Sequence, residues 1–244
     1  MMNDVIQAIV LKTSEYKEND LLVYVLAKQY GKLTLICKGA RKMGSKLNAI
    51  VQVSNCSEFI IDYAFHKSMF MIKSGKVIET YKKFSNDLEL SLMMQLMVEI
   101  VYKLEVDEWN DELYELLLTV FQKITKENQY LLGCYFMAQL LSYLGIKPYV
   151  DSCVKCKNVK IKSISMIHGG FICTRCFNES EYRNLTINQL RKFRFINKVT
   201  WKNVLSLASE WYDMEDFKLL IEFLIHNYHL SLNTWDFLLS LNID

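Results

Sequence analysis

Over its first eighty residues the chain repeatedly alternates apolar and polar positions with the period of a β-strand. Five runs rich in Val, Ile, Tyr, Phe and Thr stand out: VIQAIVLK, DLLVYVLAK, KLTLICK, VQVSNCSEFIIDY and FHKSMFMIKSGKVIE. Turn material separates them: Tyr16 to Asp20, Gly31, the loop KGARKMGSK at 38–46, and a corner near Ala64. Five short strands with one long loop predict a small closed barrel of the OB type, an SH3-like barrel being the nearest competitor. Closing the sheet removes the exposed edges that otherwise invite aggregation.

From Ser85 the period changes to that of helices. SNDLELSLMMQLMVEIVYKL places Leu88, Leu92, Leu96 and Ile100 at four-residue steps and is apolar nearly all round, as in a helix buried within a bundle. NDELYELLLTVFQKI carries acids in its first turn, where they suit the helix dipole. NQYLLGCYFMAQLLSYLG ends in Gly145, with Pro148 three residues on, a stop signal. After a break at 150–185, Thr186 is a natural N-cap for TINQLRKFRFI. A helical stretch around Trp201 to Glu210, then DFKLLIEFLIHNYHL and TWDFLLSL, follow. The fold class is therefore α+β. Residues 1–83 form the barrel domain and 84–244 a helical domain with an insertion at about 150–180.

A chain of 244 residues has room for two such cores. Its start, MMNDVIQAIVLKTSEYKEND, lacks a basic n-region and a long apolar h-region, so no signal peptide is expected. No window offers roughly eighteen uncharged apolar residues, so no membrane span is expected and a cytoplasmic protein follows. The formal net charge is only +2, but it is unevenly spread. Residues 1–83 hold 13 Lys/Arg and 7 Asp/Glu, 84–150 hold 4 and 10, and 151–244 hold 12 and 10. That asymmetry points the first segment towards a polyanion.

The basic loop sharpens this. Gly39 and Gly44 bracket Arg41 and Lys42, with Lys38 and Lys46 just outside. A nucleotide-cradling P-loop needs G-x-x-x-x-G-K-[ST], whereas this loop closes Gly44-Ser45-Lys46, with lysine and serine reversed. The helix that should follow is also missing from the expectation, because LNAIVQVS is β-branched and soon alternates. ATP is not its ligand. A solvated hairpin loop and a polynucleotide backbone remain.

Seven cysteines divide into two sets. Cys37, Cys56 and Cys134 lie alone in apolar runs and read as buried thiols in a reducing compartment. Cys153-x2-Cys156 and Cys173-x2-Cys176 match a tetrathiolate zinc site, each knuckle aiming two sulfurs at one ion. Between them SISMIHGGFIC offers a hairpin turning at Gly169-Gly170. Four thiolates close the coordination sphere, so the Zn²⁺ is structural rather than catalytic. Lys155, Lys157, Lys160, Lys162 and Arg175 cluster here, either offsetting the site's residual charge or adding a second DNA-facing patch.

No enzyme signature is present, and no catalytic residues are assigned. His66, His168, His226 and His229 form no H-E-x-x-H array, and there is no G-x-S-x-G elbow or dinucleotide fingerprint. The acids Asp107, Glu108, Asp111 and Glu112 read as the solvated start of a helix.

These features together resemble the RecO family of bacterial DNA repair and recombination mediators. The likeness covers nearly the whole chain. It rests on AIVLKTSEYKENDLLVYVLAKQYGKLTLICKGARK at 8–42, LLSYLGIKPYVDSCVKC at 140–156, GGFICTRC at 169–176 and the closing FLIHNYHLSLNTWDFLLSL. One departure is Lys157, where a glycine commonly follows the second cysteine. The resemblance implies an ATP-independent, non-enzymatic protein. It would bind single- and double-stranded DNA, anneal complementary strands and act with RecR and single-strand-binding protein to load RecA at the nucleoid. Barrels of this type hold a strand with cationic and aromatic side chains. Lys38, Arg41, Lys42 and Lys46 are the leading phosphate contacts, with Lys12 and Lys32 next. Tyr24, Tyr63 and Phe65 are candidates for stacking bases or for filling the barrel. A zinc-containing RNA-binding module and a protein scaffold are the alternatives.

Overall fold

The computed structural model describes residues 3–64, 66–81, 87–105 and 111–241. It divides into two compact units, residues 1–123 with 232–244, and residues 124–231. The sequence-based division at 83/84 follows the change from strands to helices. The compact units instead group three helices with the barrel.

In the first unit, strands β1 (Asp4–Tyr16), β2 (Asp20–Ala27), β3 (Gly31–Cys37), β4 (Cys56–Ile61) and β5 (Phe70–Glu79) close into a barrel in the order β1-β2-β3-β5-β4. All pairs are antiparallel except β3 with β5, where Leu35 lies opposite Phe70. This is the OB-type barrel expected. Alternation fills it: Ile6, Ala8 and Val10 of β1, Val23 and Val25 of β2, Leu35, Phe59 and Ile72 point into one core. Gly75 of β5 is required by close approach, since a Cβ there would lie 2.6 Å from the carbonyl oxygen of Glu58. Ile9 and Leu26, on the other face of their strands, are also fully buried. Helix α2 (Leu88–Lys103) packs on that side of β1, which explains why β1 and β2 are apolar on both faces.

One element differs from expectation. VQVSN is not strand. A short helix, α1 (Leu47–Ile50), precedes it, and Val51 and Ile50 plug the barrel core. The chain then turns back on β1: Ser54 N–H donates to Val10 O, Val10 N–H donates to Asn55 O, and the Asn55 amide donates to Ala49 O. Amide side chains that bond their own backbone compete with a ladder, which β-branched alternation cannot register.

Asp87 caps α2, accepting from Leu90 N–H. Helices α3 (Glu112–Lys123) and α8 (Asn233–Leu241) complete this unit. Lys28 pairs with Glu115 of α3 at 2.7 Å. Glu99 of α2 accepts the free N–H groups of Asn233 and Thr234 at the start of α8. Trp235 and Leu238 of α8 are buried.

In the second unit α4 (Gln129–Tyr143) is buried on nearly every side and packs chiefly on α7 (Met214–Tyr228). It ends as the Gly145-Pro148 signal requires. Gly145, at φ 74°, donates to Ser142 O while Ile146 donates to Leu141 O, a Schellman closure. The hairpin of β6 (Ile161–Ser165) and β7 (Gly170–Cys173) follows, then α5 (Ile187–Ile196), whose N-cap Thr186 forms a full capping box with Gln189. The stretch from Trp201 to Glu210 is broken into α6 (Trp201–Val204) and a 3-10 turn at Ser209–Trp211. His229 is the left-handed C-cap of α7, at φ 51°.

Candidate nucleic-acid interface and metal centre

The basic loop leaves β3 at Lys38 and is pinned to the turn between β1 and β2. Gly39, at φ 68°, donates its N–H to Asp20 Oδ1 at 2.8 Å, and Arg41 N–H donates to Asn19 O at 3.0 Å. The Arg41 guanidinium bonds Glu18 O at 3.2 Å and pairs with Glu15 at 2.8 Å. Arg41 is therefore partly spent on holding the loop. Lys38, Lys42 and Lys46 are exposed and enter no ion pair among the described residues. The sequence reading missed the role of YKEND as the loop's acidic anchor. The signal was available, since Glu15, Glu18 and Asp20, in and beside that turn, are the only acids between residues 5 and 57.

The other sequence candidates do not join this group. Lys32 is turned onto the C-terminal end of α2, where its ammonium donates to Tyr102 O at 2.7 Å and to Leu104 O. Burial lowers its pKa to about 8, with Glu105 opposing that shift. Lys32 thus serves as a helix cap, a use that falls seventy residues away in sequence and leaves no local trace. Lys12 is exposed and lies 4.7 Å from the centre of the Tyr102 ring, and Tyr24 meets the same ring edge-on at 5.3 Å. Tyr102, unremarked in the sequence, organises all three. Tyr63 is stacked on Phe70 at 4.9 Å and packs against the barrel core. Phe65 lies outside the described residues.

The four cysteines are brought together as their spacing requires. The sulfurs of Cys153, Cys156, Cys173 and Cys176 all lie within 4.8 Å of one another. Cys156 Sγ is 3.4 Å from Cys173 Sγ and 3.5 Å from Cys176 Sγ. A tetrahedral ion bonded to sulfur at about 2.3 Å needs sulfurs about 3.8 Å apart, so this donor set fits one such ion. Burial opposes ionisation of Cys153, but backbone N–H groups of Cys173, Cys156 and Lys155 outweigh it and bring the thiol down to about 6. Cys176 moves the other way, to about 12, chiefly through its hydrogen bond with Cys156. Backbone N–H groups around a thiol favour its thiolate, the form a metal ion binds.

The scaffold for this group is local. Cys153 N–H bonds Asn158 O, and Lys157 N–H bonds Cys153 O, both at 2.9 Å. Lys157 adopts φ 61°, the left-handed conformation that a glycine would take freely. At Gly170 the backbone of Tyr149 runs alongside, and a Cβ there would lie 2.3 Å from Tyr149 O. His168 is exposed and stands outside the sulfur group. Cys37, Cys56 and Cys134 are buried free thiols, and burial pushes Cys37 up to about 11.

One further polar cluster escaped the sequence reading. Lys192 of α5 is buried and pairs with Asp216 at 2.6 Å and Asp213 at 3.1 Å, the two acids of the capping box that starts α7. Burial pushes the Asp216 carboxyl up, whereas the two carboxylates outweigh burial at Lys192 and raise it. The pattern D-x-x-D before an apolar run marks such a cap, but not its distant cation.

An OB-type barrel with an exposed lysine loop is followed by helices that carry four cysteines placed to hold one metal ion. Two family models match the chain. The profile "Recombination protein O N terminal" matches residues 2–81, and "Recombination protein O C terminal" matches residues 85–235. The chain belongs to the RecO family. Among its relatives are the DNA repair proteins RecO of Bacillus cereus (strain AH187), Bacillus anthracis and Bacillus mycoides (strain KBAB4). Each is 26% identical over 181 residues, covering 73% of this chain and 72% of the relative.

Proposed function

We propose that the protein is a non-enzymatic mediator of DNA repair and recombination. It holds single- and double-stranded DNA through phosphates, anneals complementary strands without ATP, and acts with RecR and single-strand-binding protein in the loading of RecA. The observation that carries this reading is the loop at 38–46. Lys38, Lys42 and Lys46 are exposed without carboxylate partners, while Arg41 fixes the loop to Glu15 and Glu18. Such contacts carry no base information, so binding is indifferent to sequence. Screening phosphates also lowers the repulsion between two strands while leaving their bases free to pair.

The proposed phosphate contacts are Lys38, Lys42 and Lys46, in a domain spanning 1–83, with the cysteine site holding a structural Zn²⁺ in the helical domain. Zinc would tie a segment poor in apolar core onto its neighbours.

The test is a titration of fluorescent single-stranded DNA at several salt concentrations. Each phosphate contact contributes about 0.7 to the slope of log K against log salt. Replacing Lys38, Lys42 and Lys46 by Ala is expected to reduce that slope by about two units. A folded variant with the slope of the wild type would remove the loop from the DNA site.

A further inference from the structure

The four-cysteine hairpin carries more positive charge than its metal site can use. Between 147 and 177 stand six Lys/Arg and a single carboxylate, Asp151. Asp151 is itself engaged by Arg194 and Lys198. Lys147, Lys155, Lys157, Lys160, Lys162 and Arg175 form no ion pair among the described residues. A Zn²⁺ held by four thiolates has a residual charge of about −2, which two cations beside the sulfurs would balance. Six cations exceed that need, and three of them sit over aromatic rings.

The rings hold these cations in two neighbouring stretches of the segment. Lys162 lies 5.9 Å from the Phe177 ring, Phe177 is 6.4 Å from Tyr182, and Lys155 is 5.3 Å from Tyr182 while bonding its hydroxyl at 2.8 Å. Two residues along the same knuckle, Lys157 lies 4.6 Å over Tyr149, which is 40% exposed. Lys160 is tied beside Arg175 through the bond from Thr174 N–H to Lys160 O. Lys155, Lys157, Lys160 and Arg175 are exposed and Tyr149 is partly open, whereas Tyr182 is buried and Phe177 half-buried beneath. Exposed cations beside an open ring supply what a single strand requires: charge for its phosphates and flat apolar surface for its bases.

We propose that this hairpin is a second surface for single-stranded nucleic acid, separate in sequence from the barrel loop. The proposal rests on the nucleic-acid reading of the barrel given above. In it Lys157, Lys160 and Arg175 meet phosphates, Tyr149 offers a stacking face, and Lys155 and Lys162 hold the rings beneath.

Two measurements test it on the full chain. In the first, Lys157→Asn, Lys160→Ala and Arg175→Ala are combined and titrated with fluorescent single-stranded DNA, with zinc content measured on the same sample. Asn is chosen because it tolerates the left-handed backbone at that position. The expected result is a salt slope lower by about two units with zinc retained. If that slope equals wild type while the Lys38/Lys42/Lys46 variant loses its two units, the hairpin surface is refuted and the barrel reading stands. If the wild type shows no salt-dependent binding, the barrel reading falls and this proposal with it. The second measurement needs no variant. Lysine acetylation of the wild-type protein is compared with and without the strand, and protection of Lys157 and Lys160 is expected. Equal labelling in both conditions would overturn the proposal, including the case in which the triple variant misfolds.

Discussion

Lys32 shows how one side chain can be read correctly for charge and wrongly for place. Its ammonium sits on two carbonyl oxygens at the end of α2, where a cation is favoured by the helix dipole. Burial is the larger effect and holds its pKa near 8. Because the folded chain keeps this proton less tightly than the unfolded chain, its contribution to stability rises as pH increases from about 8 towards 10.5. Lysine-labelled NMR is expected to show one ammonium titrating near 8, apart from the rest. Lys32→Met is expected to leave the DNA salt slope unchanged, which separates it from Lys38, Lys42 and Lys46. A free Lys32 titrating near 10.5 would return it to the pool of phosphate contacts.

At the scale of elements, the cysteine hairpin depends on contacts within thirty residues, and that is why its spacing announced it. The same locality makes it fragile. Chelation is expected to raise amide exchange across 150–185 while the barrel strands keep their protection, measured by hydrogen exchange and mass spectrometry. Gly170→Ala is expected to cost about 2 kcal/mol or more and to speed zinc release, because the added Cβ meets the backbone of Tyr149 rather than a movable side chain. Release at the wild-type rate would show that the two segments can part without loss.

What was legible followed the same rule of locality. The strands β1 to β3, the Thr186 cap and the Gly145 stop were visible because period and capping act within a few residues. VQVSN was misread because Asn55 and Ser54 bond back to α1 and β1, and alternation carries no record of that. Tyr102, which gathers Lys12, Tyr24 and Lys32, and Lys192, which answers Asp213 and Asp216, were hidden for a simpler reason. Their partners come from elements far off in sequence.

At the scale of the whole molecule, the first unit is discontinuous in sequence. It takes residues 1–123 and then α8, with the second unit inserted between. Leu232, Trp235 and Leu238 are buried, and Glu99 receives the N–H groups that begin α8. Removing residues 232–244 is expected to destabilise the barrel unit by at least about 4 kcal/mol. In urea unfolding the β1 and α2 amides should lose protection first, whereas α4 and α7 should be spared. A truncated protein whose barrel unfolds at the wild-type midpoint would show that α8 is an appendage.

That inserted arrangement also sets a timetable during synthesis. As the chain leaves the ribosome, the barrel strands emerge first but must wait for their last helix, while everything between 124 and 231 can settle beforehand. A ribosome stall late in the message would therefore leave the barrel half-finished while the inserted unit is already mature.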